Sequence, residues 1–341
     1  MSHLDFPFPT IPETATLTTV APGIHWLRMP LPFQLDHINL WLLEDGPGWT
    51  LVDTGLGDAG TREIWRRIFA EGLCGKPITR LLVTHCHPDH MGLAGWFAQE
   101  WGLRMWITQS EWLLGRLLAV DLTQEFVDGQ VAFYRRGGFT ADVLAQLGER
   151  GNIYSSRVTL PPVEMNRLRD GDALTIGGRQ WRVIVGTGHS PEHACLHCEE
   201  LGVLISGDQI LPKITPIIGV WATEPDADPL GLYLESLDRF RRLPDRTLVL
   251  PSHNLPFVGL PARVRDIEHH HERRLDQTLK ACGGEPLTGW QLLHKLFPRE
   301  LDLHQTTFAL GESLAHVHYL MRKGRIAREA GADGVWRYQS I

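Results

Sequence analysis

The stretch "LLVTHCHPDHMG", Leu81 to Gly92, ends an apolar run with three histidines and an aspartate inside six residues. An apolar run that stops at a polar cluster reads as a buried strand reaching a sheet edge. His85 and His87 are two apart, so at a strand end both side chains can turn to one side. Pro88 fixes a turn that can fold Asp89 and His90 back beside them. Imidazole and carboxylate suit zinc, and also iron or manganese. The plain alternative is a polar loop of solvated histidines, which would be the better reading of one histidine alone.

Four closely spaced ligands cannot easily surround two metals, so partners are expected elsewhere. They stand at later strand ends. "GTGHSPEH" puts His189 just past the strand-like "RQWRVIVGTG", "LISGDQ" puts Asp208 just past "GVLIS", and "LVLPSH" puts His253 just past "TLVL". In a sheet-based fold all of these would emerge on one edge. Strands and helices alternate over the first part of the chain, an α/β habit. Residues 109–155 turn helical and aromatic. After Pro261 the strands give way to three helices and a hairpin. The expected division is a catalytic domain over residues 1–260 and a small helical domain over 261–341.

In order, "VDTG" at Val52 to Gly55, "THCHPDH", "GHS", "GD" and Ser252-His253 resemble the five motifs of the metallo-β-lactamase superfamily, over roughly residues 20 to 260. The resemblance implies an α+β fold, an αββα four-layer sandwich of two facing sheets with helices outside and metals at one edge. It implies one metal on His85, His87 and His189, another on Asp89, His90 and His253, and Asp208 between them. Asp53 would orient ligands without binding metal; His193, four residues after His189, reads equally as a hydrogen-bonding support for the site or as plain packing. His87 stands where a Glu would mark the flavodiiron branch. Asp208 stands where class B β-lactamases keep Cys or Ser; an Asp there resembles glyoxalase II, lactonases and related thioesterases, and also several nucleases. The usual G-H-G of the last motif is Ser252-His253-Asn254 here. The C-terminal part resembles a small winged helix appended to one group of these hydrolases, some of which act on single-stranded RNA.

The function this implies is a dinuclear metallo-hydrolase. Two ions, zinc first and iron or manganese as alternatives, would bridge a hydroxide that attacks a thioester, ester or lactone carbonyl. Asp208 would hold the ions together and Asp89 would also orient the nucleophile. A ribonuclease using the same hydroxide on phosphorus is the alternative, and a non-catalytic metal sensor the third reading. A formal net charge of −7 argues against a chain built around a phosphate backbone while leaving a local basic patch open, so the expected partner is a small acyl substrate, with nucleic acid the less expected one. The C-terminal module is expected to pack, against its own catalytic domain or against a second subunit in a homodimer.

Five irregularly spaced cysteines do not suggest a disulfide framework. The N-terminal "MSHLDFPFPTIPETATL" lacks the basic start and apolar core of a signal peptide, and no apolar run is long enough to span a bilayer. A cytoplasmic setting is expected. Cys195 and Cys198 imitate a C-x-x-C, but in strand text positions three apart face opposite ways. His269 to His271 read as a solvated helical face.

Overall fold

A computed structural model describes residues 4–341 except 72 and 74. The first three residues of the N-terminal segment, and Cys74 among the cysteines, lie outside that set. The chain opens with β1 (Thr18–Ala21), β2 (Ile24–Pro30), β3 (His37–Asp45) and β4 (Gly48–Val52). Helix α1 (Ala59–Glu71) leads to β5 (Ile78–Leu82), then the single turn α2 (Pro88–Met91), α3 (Ala94–Trp101) and β6 (Met105–Thr108). Three helices follow, α4 (Gln109–Val120), α5 (Gln124–Arg136) and α6 (Ala141–Arg150), before β7 (Met165–Leu168). The second run holds β8 (Ala173–Ile176), β9 (Arg179–Gly186), β10 (His193–Cys198), β11 (Val203–Gly207), α7 (Pro229–Arg241), β12 (Leu248–Pro251) and β13 (Phe257–Val258). The chain ends with α8 (Leu260–Ala281), β14 (Leu287–Thr288), α9 (Gly289–Leu296), α10 (Leu303–Arg322), β15 (Ile326–Ala330) and β16 (Trp336–Ser340).

Strands β1 to β7 form one sheet in sequence order, and β13-β12-β11-β10-β9-β8 form a second. The two sheets share one core. Strand β3 is buried along seven consecutive residues because both its faces are covered. Trp41 and Leu43 point to one side, where Trp26, Val52 and Leu82 of the first sheet meet Trp181, Val183, Leu196, Ile205 and Leu250 of the second. Ile38, Leu40 and Leu42 point the other way, onto Trp65 and Ile68 of α1 and Phe97 of α3. The period of two thus sorts one strand between a sheet–sheet layer and a sheet–helix layer. On the far side, Arg239 near the end of α7 donates to the Val185 carbonyl of β9 at 3.1 Å. The molecule is therefore a two-sheet α+β sandwich with helices outside and a helical C-terminal region.

Contacts divide the chain into two compact units. One comprises Met1–Asp121, Ile153–Pro216 and Asp238–Val264, the other Leu122–Asn152, Ile217–Leu237 and Arg265–Ile341. A single boundary in sequence cannot express this interleaving. Within the second unit the Trp290 N–H donates to the Gly137 carbonyl at 2.8 Å, and Phe139 meets the Trp290 ring edge-on at 4.8 Å. These contacts tie α5 and α6 to α9. The order β14-β16-β15 makes a small sheet beside α9 and α10. Twelve of the twenty α10 residues are buried, His316 and His318 among them.

The triple histidine departs from the solvated face expected of it. His269 is exposed, but His271 is buried, with Nδ1 3.2 Å from His316 Nε2. Its position on α8 falls on the inward stripe with Ile267 and Thr278, so helical phase overrides local polarity. No helix among the described residues is long and apolar enough to cross a membrane.

Candidate metal centre

Strands β4 and β5 are parallel, as are β11 and β12. Parallel neighbours end at the same edge, which is why polar residues far apart in sequence meet there. Asp53 follows β4, His85 follows β5, His189 follows β9, Asp208 follows β11 and His253 follows β12. His85, His87, His189 and Asp208 offer donor atoms within 4.8 Å of one another, and so do Asp89, His90 and His253. Asp208 reaches both groups. Its Oδ2 lies 3.5 Å from His189 Nε2 and 3.6 Å from His90 Nε2, and its Oδ1 lies 3.3 Å from His253 Nε2.

Two of the rings are aimed by their other nitrogen. His90 donates through Nδ1 to Asp53 Oδ2 at 2.8 Å, and His253 donates through Nδ1 to the His37 carbonyl at 2.8 Å. Both therefore present Nε2 to the centre, the arrangement that fixes a metal-binding tautomer. Asp53 also accepts from the Thr84 N–H at 2.7 Å, locking the residue before His85. It does so from a left-handed backbone, φ 63°, which Asp tolerates better than most residues. His193 is fully buried, stacks on His85 at 4.7 Å and accepts the Asp208 N–H at 3.1 Å. Gly207 has φ 52°, and a Cβ there would lie 2.5 Å from His193 Nε2, so only glycine leaves room for that ring.

The donor set fits divalent ions. Nitrogens bound to one tetrahedral ion at ~2.1 Å stand about 3.4 Å apart. Here His85 Nε2 is 2.9 Å from His87 Nδ1 and 3.3 Å from His189 Nε2. His90 Nε2 and Asp208 Oδ1 are buried and make no conventional hydrogen bond among the described residues. Such atoms are costly unless something binds them. His85 and His90 are fully buried, whereas His87 and Asp89 are partly exposed and mark the open side.

The electrostatics divide the histidines. Burial, then the neighbouring histidines, holds His85 well below its ordinary value, and burial with His189 pushes His87 down to about 3. These stay neutral donors. Burial opposes a charge on His253 as well, but Asp208 and Asp89 outweigh it and raise His253 to about 10. His90 is likewise held well above its ordinary value against burial, by Asp89, Asp208 and Asp53. A cation binding between these carboxylates competes with those two protons.

Several supporting residues carry no local sequence signal. Asn39 donates to the carbonyls of Pro251 and Asn254 at 2.9 and 2.8 Å, holding the His253 loop from 212 and 215 residues away. His37 Nε2 accepts the Asn254 N–H at 2.8 Å. Glu111 is fully buried beside the histidine-rich loop. Cys86 turns away from the proposed ligands toward Glu111, and Cys195 and Cys198 are buried on β10, with only Cys198 in the inter-sheet core.

The chain is similar to known proteins over most of its length. The family model described as the Metallo-beta-lactamase superfamily matches residues 34–253, and the one described as Metallo-beta-lactamase-like, C-terminal domain, matches residues 275–341. A crystal structure of a beta-lactamase domain protein from Burkholderia ambifaria is 46% identical, covers 99% of this chain and 98% of its own, and superposes with a TM-score of 0.93. A probable metallo-hydrolase of Bacillus subtilis, YqjP, is 24% identical over 86% of this chain and 91% of its own length. The acyl-coenzyme A thioesterase MBLAC2 of Gallus gallus is 27% identical over 68% of this chain and 77% of its own.

Proposed function

The chain belongs to the metallo-β-lactamase superfamily, and from that premise we propose a dinuclear, zinc-first hydrolase of small thioester, ester or lactone substrates. The observation that carries this reading is Asp208, one carboxylate within 3.6 Å of histidines from both donor groups. His85, His87 and His189 would hold one ion, Asp89, His90 and His253 the other, and Asp208 would be shared between them. When bound, such ions supply Lewis acidity, polarising an acyl oxygen and bringing the acidity of water close to neutral pH.

The residues do the rest. Asp208 places a shared negative charge where two cations would otherwise repel. Asp53 and the His37 carbonyl keep His90 and His253 as Nε2 donors, so neither ring can turn away during turnover. Asp89 is partly exposed on the open side and its Oδ2 lies 3.4 Å from His253 Nε2, where it can accept a hydrogen bond from an attacking water and orient it. A thiol nucleophile finds no support. Burial, then the Glu111 charge, holds Cys86 well above the thiolate range, and burial does the same to Cys195. The kinship to a protein named as an acyl-coenzyme A thioesterase favours a thioester among the three acyl classes.

The three C-terminal helices and the β15–β16 hairpin suit a winged helix. The burial of α10 favours a packing role over a groove-reading one. Buried free thiols at Cys86, Cys195, Cys198 and Cys282 suit a reducing, cytoplasmic setting. The test is a hydrolysis screen of the metal-loaded protein against thioesters, lactones, phosphodiesters and single-stranded RNA side by side. Turnover of an acyl substrate that stops on chelation is the expected result, and cleavage of RNA alone would overturn the reading.

A further inference from the structure

Glu111 lies in the first turn of α4 and is fully buried. Its Oε2 accepts the Cys86 N–H at 2.9 Å, and its Oε1 accepts the Glu192 N–H at 2.8 Å. Cys86 sits between His85 and His87, and Glu192 is three residues past His189. One carboxylate therefore spans the two loops that bear all three histidines of one donor group. The second loop returns the contact. Glu192 Oε2 accepts the Ser110 N–H at 3.0 Å, and the Glu192 carbonyl accepts the Thr108 hydroxyl at 2.8 Å. Cys86 is held from its other side too, because the Tyr154 hydroxyl donates to its carbonyl at 2.5 Å. Helix α4 approaches closely at Gly115, where a Cβ would lie 3.1 Å from the Cys86 Cβ.

Two backbone N–H groups need two acceptor oxygens, and only a carboxylate offers both from one side chain. A glutamine in this place would set its NH2 against one of the two donors. Burying a carboxylate is costly unless its hydrogen bonds do something, and here they fix the spacing of the loops. We propose that Glu111 is a positioning residue for the His85, His87, His189 and Asp208 group, setting the separation of its two histidine loops.

The proposal rests on reading that group as a metal site, and the experiment separates the two. Full-length protein is titrated with Zn2+ against a chromophoric chelator and, separately, with Co2+ followed by its visible absorption. Glu111→Gln is expected to weaken one of the two ions by roughly 10–100-fold, to leave the other within a few-fold, and to change the Co2+ bands of the weakened site. Far-UV circular dichroism should not change, because a merely structural fault would weaken both ions together. If Glu111→Gln does not fold, Tyr154→Phe releases the Cys86 carbonyl instead and should weaken the same single ion. Wild-type protein that binds fewer than two ions tightly would sink the metal reading. Two tight ions in wild type, with equal affinities and identical Co2+ bands in the variants, would overturn the role of Glu111 alone.

Discussion

Acid should loosen the second unit through one pair of buried histidines. Burial, then the charge of His316, pushes His271 down to about 2, and burial pushes His316 down to about 4, against an ordinary value of 6.5. Both fold as neutral rings, with His316 Nδ1 donating to the Glu312 carbonyl and His271 Nδ1 facing His316 Nε2. The unfolded chain takes protons at these positions below pH 6.5 and the folded chain does not. Their contribution is therefore complete above 6.5 and lost as pH falls toward 4 and then 2. Between pH 7.5 and pH 5, each ring costs about 2 kcal/mol, or about 4 kcal/mol for the pair. Glu312, held above its ordinary value by burial, works in the opposite direction. The comparison is therefore made against His271→Phe, which keeps a ring of similar size but cannot titrate. Hydrogen exchange of α8 and α10 peptides in chelator-treated protein, corrected for intrinsic rates, gives the local opening free energy at both pH values. The variant should lose about 2 kcal/mol less than wild type across this interval. Equal losses in the two proteins would show that His271 does not carry the acid sensitivity assigned to it.

Three further outcomes are expected. Asp208→Ala should lose metal occupancy, measured by elemental analysis, and most turnover, since two nearby cations would lack a shared anion. Unchanged content and rate would contradict the dinuclear reading. Asp53→Asn should weaken metal affinity or activity by roughly 10–100-fold, because its Oδ2 no longer draws the proton of His90 with a full charge. Metal-free protein titrated with a single-stranded RNA oligonucleotide should show little binding at physiological salt. Micromolar binding that weakens steeply with added salt would instead mark several phosphate contacts and promote the ribonuclease.

The site was legible to the extent that its residues sit at the ends of apolar runs. His85, His189, Asp208 and His253 each close such a run, and strand pairing brings them to one edge. Glu111 was not legible. It lies in a mostly apolar helix with no motif around it, and its two partners are 25 and 81 residues away. Asn39 was invisible for the same reason. The interleaving of the two units also escaped the sequence, because α5 and α6 belong with α9 through contacts such as Gly137 to Trp290 that no local pattern encodes. His271 was misread because three consecutive histidines look uniformly polar, while a helix turns each to a different side.

The strand-end arrangement has a consequence for how the chain reaches its native state in a cell that contains metal. His85, His87, Asp89 and His90 are close along the chain and can chelate an ion before anything has folded. His189, Asp208 and His253 join them only once both sheets have formed and paired, which requires contacts across more than a hundred residues. Long-range pairing of this kind is slow. An ion held early by the local four would stabilise the unfolded chain as well, and the stability gained on metal binding would then be smaller than the native affinity alone would give. Excess metal during refolding should accordingly slow recovery, whereas metal added after the sheets have closed should not.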